Sequence, residues 1–113
     1  DTGDILFQKK FPLLGDLKDI YNQISEVGTI GVIDIIENGY QSVTKQNEND
    51  ATFYKRRNPS MSEIKLKDFS NFTAKELYNK IRSLQDPYPN SFVICKDGTK
   101  LFLTNSKVEI DND

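Results

Sequence analysis

The chain has 113 residues, with fifteen basic and seventeen acidic side chains and a net charge of -2. That length suits one small domain with a modest core, and the balanced charge gives no general attraction for nucleic acid or another polyanion. The single cysteine, Cys95, excludes an internal disulfide and a multi-thiolate metal site, and the chain has no histidine. An enzyme built on this chain must therefore obtain a neutral-pH general base or a histidine metal ligand from elsewhere.

The two halves of the sequence give no sign of a membrane segment. No apolar run approaches the roughly 20 residues that cross a bilayer, and no signal-peptide pattern is visible, so we expect a soluble protein of the reducing cytoplasm. Residue 1 is aspartate rather than methionine, and the segment 1–7 (DTGDILF) leads directly into apolar residues. A missing native amino terminus and ordinary processing both explain this start.

The first half predicts a strand and two helices. Residues 5–11 mix apolar residues with lysines and stop before Pro12, which predicts a short strand. A helix is expected after Asp16, a suitable N-cap, because apolar residues then recur at helical spacing. Gly28 and Thr29 interrupt that pattern, and the dense apolar run 30–36 predicts a second, more buried helix, which the helix-stop pair Asn38-Gly39 would end. A strand is the alternative for this run, because isoleucine and valine favour strands.

The second half begins with a polar, exposed connection at 41–50, followed by a predicted connecting strand and loop at 51–59. Thr73 and Glu76 form a capping-box pattern that predicts the start of a third helix. The helix is expected to end before Pro87, since a residue that precedes proline avoids helical angles.

A β-hairpin is predicted at the end of the chain. The apolar-rich runs 91–96 and 99–104 flank Asp97-Gly98, a pair typical of a two-residue type I′ turn. In that register Ile94 would face Leu101 and Phe92 would face Leu103.

Three local features could carry chemistry. Asp1 and Asp4 flank Gly3 and could bring two carboxylates to a ligand, but a solvated terminal turn is the preferred interpretation, because isolated D-x-x-D spacing has little specificity. The basic cluster 55–57 follows two aromatic residues and could bind a phosphate while a ring stacks on a base; a solvated strand end is the alternative. The loop 86–90 (DPYPN) is interpreted as a rigid turn that connects the third helix to the hairpin.

The order of these features resembles the folate-dependent formyltransferases. Segment 1–6 (DTGDIL) is similar to the family pattern D-[T/A]-G-x-I, and segment 81–92 is similar to the pattern I-R-A…P-[W/Y]-P-G-[A]-F. The chain departs from the second pattern at Asn90-Ser91, where glycine and alanine are common, so the backbone angles there could differ.

The stretch 51–59 (ATFYKRRNP) resembles the sugar branch of this family, which includes the enzymes that formylate aminoarabinose. Transfer RNA enzymes more often carry a Y-A-x-K pattern there and usually append a barrel domain, whereas this chain ends soon after the hairpin. The resemblance therefore favours a nucleotide-linked amino sugar as substrate. Methionyl-tRNA formyltransferase is the alternative within the family, and a non-enzymatic interaction module that docks through the hairpin is the alternative outside it.

The resemblance also implies a reaction and its residues. The family transfers a formyl group from 10-formyltetrahydrofolate to a primary amine and uses a catalytic asparagine, histidine and aspartate. Only the aspartate maps onto this chain, at Asp1, where it would orient the missing histidine. Asp1 and Gly3 are the expected folate-binding residues. Arg57, with Tyr54 nearby, is the expected contact to the nucleotide sugar, and Arg56 competes for that role.

The expected fold is an α+β fragment of strand, two helices, loop or strand, helix and β-hairpin that completes an upstream Rossmann-like domain. Residues 1–50 would be the carboxyl-terminal portion of the catalytic domain, and residues 51–113 would form the helix and hairpin subdomain after it. The expected partners are the missing amino-terminal half of the same polypeptide and, in a homodimer, a second copy. Without that half, the chain should be inactive.

Overall fold

The computed structural model describes residues 2–40 and 42–109. The chain divides between Lys55 and Arg56 into two units. The first unit contains one long helix, and the second contains two helices and a β-hairpin. This is a small α+β arrangement, as the sequence predicts, but several of its elements differ from the prediction.

Helix α1 spans Leu17–Asn38 as one continuous element. The prediction of two helices divided at Gly28-Thr29 is therefore wrong, and so is the strand alternative for residues 30–36. A glycine inside a helix costs only about 0.5–1 kcal/mol relative to alanine, which does not suffice to end a helix whose backbone hydrogen bonds continue on both sides.

The two ends of α1 follow the predicted signals. Asp16 and Asp19 form a reciprocal capping box, in which each carboxylate accepts the other residue's backbone N–H at 3.0 Å. At the other end Gly39 has φ 67°, and its N–H donates to the carbonyl of Ile35 at 2.9 Å. Glycine suits this position because it adopts positive φ without a steric cost.

The predicted strand 5–11 is not formed among the described residues. Ile5 makes one antiparallel bridge with Thr44, in which each N–H donates to the other's carbonyl at 2.8 and 3.0 Å. A strand requires a hydrogen-bonded partner along its length. Among the described residues, Ile5 pairs only with Thr44, so a single bridge forms in place of a strand. Phe7 instead lies against α1 at Gly31, where an added Cβ would overlap the phenylalanine ring.

The predicted connecting strand is not formed at 51–58, and a short 3₁₀ turn, Pro59–Ser62, follows. Helix α2 (Asp68–Asn71) is a single turn that the sequence pattern did not indicate, and α3 spans Ala74–Ser83. The capping box predicted for α3 is confirmed: the Thr73 hydroxyl accepts the N–H of Glu76 at 3.2 Å, and the Glu76 carboxylate accepts the N–H of Thr73 at 2.8 Å.

The hairpin is confirmed, with β1 at Ser91–Ile94 and β2 at Lys100–Leu103, but its predicted register is wrong by one residue. Phe92 pairs with Phe102 and Val93 pairs with Leu101. A type I′ turn would need positive φ at Asp97, whereas only Gly98 has it, with φ 81°. The Asp97 carboxylate accepts the N–H and the hydroxyl of Thr99 at 3.0 and 2.7 Å, so a longer turn replaces the predicted one.

A third segment lies beside the hairpin. Glu63 forms a parallel bridge with Phe92, and the N–H of Ile64 donates to the Phe92 carbonyl at 2.7 Å. Strand β1 is therefore hydrogen-bonded on both edges. The buried residues of this unit come from the segment 62–64, from α3 and its C-cap, and from β1: Ser62, Ile64, Ile81, Leu84, Ser91 and Phe92.

No helix within residues 2–40 or 42–109 combines the length and the apolar character needed to cross a membrane.

Candidate functional site

The predicted formyl-transfer residues lie at the start of the first unit. Asp1, the predicted catalytic aspartate, lies outside the described residues. Gly3 is held in place by the bridge between Ile5 and Thr44 and by Gln46, whose side-chain amide donates to the Gly3 carbonyl at 2.5 Å. Thr44 and Gln46 thus hydrogen-bond the backbone at Ile5 and Gly3.

The backbone at Gly3 is open on one side. A Cβ built at Gly3 would contact no atom within 4 Å. The role of Gly3 in binding a folate stays a prediction.

A cleft of about 490 Å³ adjoins this segment within the first unit. Its walls include Thr2, Gln8, Lys45, Glu48 and Asp50, so groups of both charge signs face the space. Sequence reasoning missed Lys45 and Gln46 as residues of this region. The polar stretch 41–50 carries no periodic signal, and only the bridge at Thr44 brings it beside Gly3.

Two aromatic side chains at the end of the first unit are almost completely exposed. Phe53 and Tyr54 have 92% and 91% of their surfaces accessible. A large ring left in water forgoes the free energy that burial of its apolar surface would provide. Both rings are therefore accessible for stacking with a planar group.

The two predicted arginines differ in their contacts. The Arg57 guanidinium donates from Nη2 to the carbonyl of Met61 at 3.1 Å, within the second unit. Arg56 is exposed and forms no hydrogen bond or ion pair with a described residue. Arg57, which the sequence favoured as the substrate contact, thus donates a hydrogen bond to the backbone of its own chain. The guanidinium of Arg56, the alternative, has no partner among the described residues.

The proline loop is a braced corner, as interpreted from the sequence. The Asn90 side chain donates to the carbonyls of Leu84 and Tyr88, at 2.8 and 3.3 Å, and to the Asp86 carboxylate at 3.2 Å. Tyr88 is exposed, and the Asp86-Pro87 peptide bond is cis. Asn90 stands where glycine is common in the family pattern, and its side chain holds the two ends of the loop together.

Comparison with known proteins gives a consistent result. The chain is 30% identical over 113 residues to a methionyl-tRNA formyltransferase of Natranaerobius thermophilus, with 96% of this chain and 34% of that protein covered. It is 30% identical over 102 residues to a methionyl-tRNA formyltransferase of Finegoldia magna, with 86% of this chain and 31% of that protein covered. No protein-family profile matches the chain.

A solved structure extends the similarity to the fold. The crystal structure of a 4-N formyltransferase from Francisella tularensis superposes with a TM-score of 0.65 and 28% sequence identity, with 96% of this chain and 47% of that chain covered. The chain is thus similar, over nearly its whole length, to part of the formyltransferases. It spans about a third of the length of the curated formyltransferases it matches and just under half of the solved one.

Proposed function

We propose that this chain is the carboxyl-terminal part of an N-formyltransferase that transfers a formyl group from 10-formyltetrahydrofolate to the amine of a nucleotide-linked amino sugar. The formyl chemistry is supported by the similarity to formyltransferases. The choice of acceptor is supported by the resemblance of the stretch 51–59 to the sugar branch of that family.

The observation that carries the choice of acceptor is the exposure of side chains in this stretch. Phe53 and Tyr54 offer two planar surfaces to water, and Arg56 offers a guanidinium with no partner among the described residues. Aromatic rings stack on nucleobases, and a guanidinium donates paired hydrogen bonds to phosphate oxygens. A nucleoside diphosphate carries both of these chemical groups.

A longer parent protein is supported by the second half of α1. Four apolar side chains there are exposed, from 48% for Ile33 to 77% for Ile36, and helical spacing places them on one side of the helix: Ile30, Val32, Ile33 and Ile36. An apolar face of this kind is normally covered by another part of the protein. We propose that an upstream Rossmann-like domain of the same polypeptide covers this face and supplies the catalytic asparagine and histidine.

The proposed roles of this chain at the reaction centre are limited. Asp1 would hold the upstream histidine in the orientation that accepts a proton from the attacking amine, and Gly3 would allow the backbone to approach the folate. The chain alone should be inactive, and the parent enzyme should act in the cytoplasm.

Methionyl-tRNA is the second candidate acceptor, because both curated relatives carry that activity in their names. The net charge of -2 gives this part of the protein no general attraction for RNA. A tRNA enzyme would therefore need basic surface elsewhere in the parent.

The decisive experiment is a formyl-transfer assay with the full-length parent and 10-formyltetrahydrofolate. The acceptors are amino sugars linked to uridine or thymidine diphosphate and initiator methionyl-tRNA, with the product identified by mass. Formylation of a sugar nucleotide is expected. Formylation of the tRNA alone would select the second candidate, and formylation of neither would overturn both.

The role of Asp1 is tested in the same assay with a matched pair of variants. Asp1→Asn should lower kcat by about 100-fold or more, the range in which a positioned proton-transfer system contributes. Asp4→Asn removes the same charge three residues away and should leave kcat within about twofold, because a surface charge outside the reaction centre contributes little. Equal losses in both variants would contradict a specific role for Asp1.

A further inference from the structure

The residues after Arg56 form a closed turn. Arg57 donates to the Met61 carbonyl, and the Asn58 side chain accepts the N–H of Ser60 at 3.1 Å and its hydroxyl at 2.5 Å. The N–H groups of Met61 and Glu63 donate to the carbonyls of Asn58 and Ser60. Side-chain and backbone hydrogen bonds therefore hold segment 57–63 in one conformation.

This turn is attached to the interior of the second unit. Ser62 is buried, with 1% of its surface accessible, and its hydroxyl donates to the Pro89 carbonyl at 2.9 Å. Pro89 lies in the corner that Asn90 braces against the end of α3. A side chain at the start of the turn is therefore carried by a rigid support, which is what accurate ligand binding requires.

Arg56 is the residue at that start. Its guanidinium has five N–H donors, and none of them is used by a described residue. Arg57 differs, because its guanidinium already donates one hydrogen bond, from Nη2 to the Met61 carbonyl.

We propose that the two arginines have different roles. Arg56 contacts the diphosphate of the nucleotide-linked substrate. Arg57 is a positioning residue that stabilises the turn that follows Arg56. This inference rests on the proposed function. It reverses the sequence-based preference for Arg57 as the substrate contact.

The test compares single variants of the full-length parent. Arg56→Gln, Arg57→Gln and the control Lys55→Gln each remove one positive charge. The measurements are the inhibition constants of uridine and thymidine diphosphate, kcat for the sugar nucleotide, and hydrogen exchange at the amides of Met61 and Glu63.

Arg56→Gln should raise the inhibition constant of the better diphosphate by about tenfold or more, the equivalent of one lost charge-assisted hydrogen bond. Its amide exchange at Met61 and Glu63 should stay unchanged, and Lys55→Gln should raise the inhibition constant less than Arg56→Gln does. Arg57→Gln should accelerate exchange at Met61 and Glu63 and raise the inhibition constant less than Arg56→Gln does.

Ser62→Ala provides an independent way to loosen the same turn, because it removes the bond to Pro89 and keeps both guanidinium groups. It should reproduce the Arg57→Gln pattern. If Arg57→Gln weakens diphosphate binding more than Arg56→Gln while exchange stays unchanged, Arg57 is the direct contact and the inference is overturned.

The failure of this inference differs from the failure of the proposed function. A wild-type parent that formylates a sugar nucleotide, with an Arg56→Gln variant that binds diphosphate normally, overturns the division of roles alone. A wild-type parent that formylates no sugar nucleotide overturns the proposed function and the diphosphate assignment with it.

Discussion

The two units of this chain use similar local signals but bury very different amounts of apolar structure. Both α1 and α3 begin with a reciprocal capping box. In the second unit Ile64, Ile81, Leu84 and Phe92 are buried, whereas α1 buries only Leu17 and Gly31. A capping box thus determines where a helix begins, and the surrounding structure determines whether its apolar residues are covered.

The comparison has a functional meaning. The second unit has an interior of its own and supports the turn that carries Arg56. The first unit carries the segment after Asp1 and leaves much of its long helix open, which we attribute to an absent partner domain. The predictions below test this difference.

The largest expected effect contrasts Phe92 with Ile36. Phe92→Ala should destabilise the second unit by about 3–5 kcal/mol, both in the 113-residue chain and in the parent, because it empties a buried site. Ile36→Ala should change the stability of the 113-residue chain by less than about 0.5 kcal/mol, since the side chain is 77% exposed.

In the parent, Ile36→Ala should cost about 2–5 kcal/mol if the proposed domain covers α1. Chemical denaturation of both variants in both contexts measures this. An Ile36→Ala variant that is silent in the parent as well would show that no domain covers this face.

A smaller effect is expected at the cap of α3. Thr73→Ala should destabilise the second unit by about 1 kcal/mol, because the N–H of Glu76 loses its acceptor. Lys75→Ala, an exposed change in the same helical turn, serves as the control and should be nearly neutral. Equal costs for the two variants would argue against the cap.

The same cap should depend on pH. Hydrogen bonds from the backbone and then the side chain of Thr73 lower the pKa of Glu76 below its ordinary value of 4.5. A lowered pKa means that the stabilisation is present above the unfolded-state pKa and is lost as the pH falls through the folded-state pKa. The stability advantage of wild type over Glu76→Gln should therefore shrink below pH 4.5 in acid titrations of unfolding.

The smallest effect compares two glycines in α1. Gly28→Ala should stabilise the first unit by about 0.5–1 kcal/mol, since its added methyl group meets no atom within 4 Å and alanine favours a helix. Gly31→Ala should destabilise it, because the methyl group would overlap the ring of Phe7. Thermal unfolding of the pair provides the measurement, and a gain in both variants would show that Phe7 does not pack against α1.

By itself, the sequence determined the features that depend on a few neighbouring residues. The caps at Asp16 and Thr73, the helix stop at Gly39 and the existence of a hairpin are local, because each rests on hydrogen bonds or backbone angles within a few positions. The family resemblance in the segments 1–6 and 81–92 belongs to the same class of short, ordered signals.

Only the tertiary structure decided the features that depend on partners distant in the sequence. The segment 5–11 did not become a strand, because Ile5 forms only a single bridge, with Thr44, among the described residues. The different contacts of Arg56 and Arg57 could not be predicted either, because adjacent arginines look alike in a sequence. Arg57 donates to Met61 within a turn whose buried Ser62 is bonded 27 residues away to Pro89, a pairing that only the folded chain brings together.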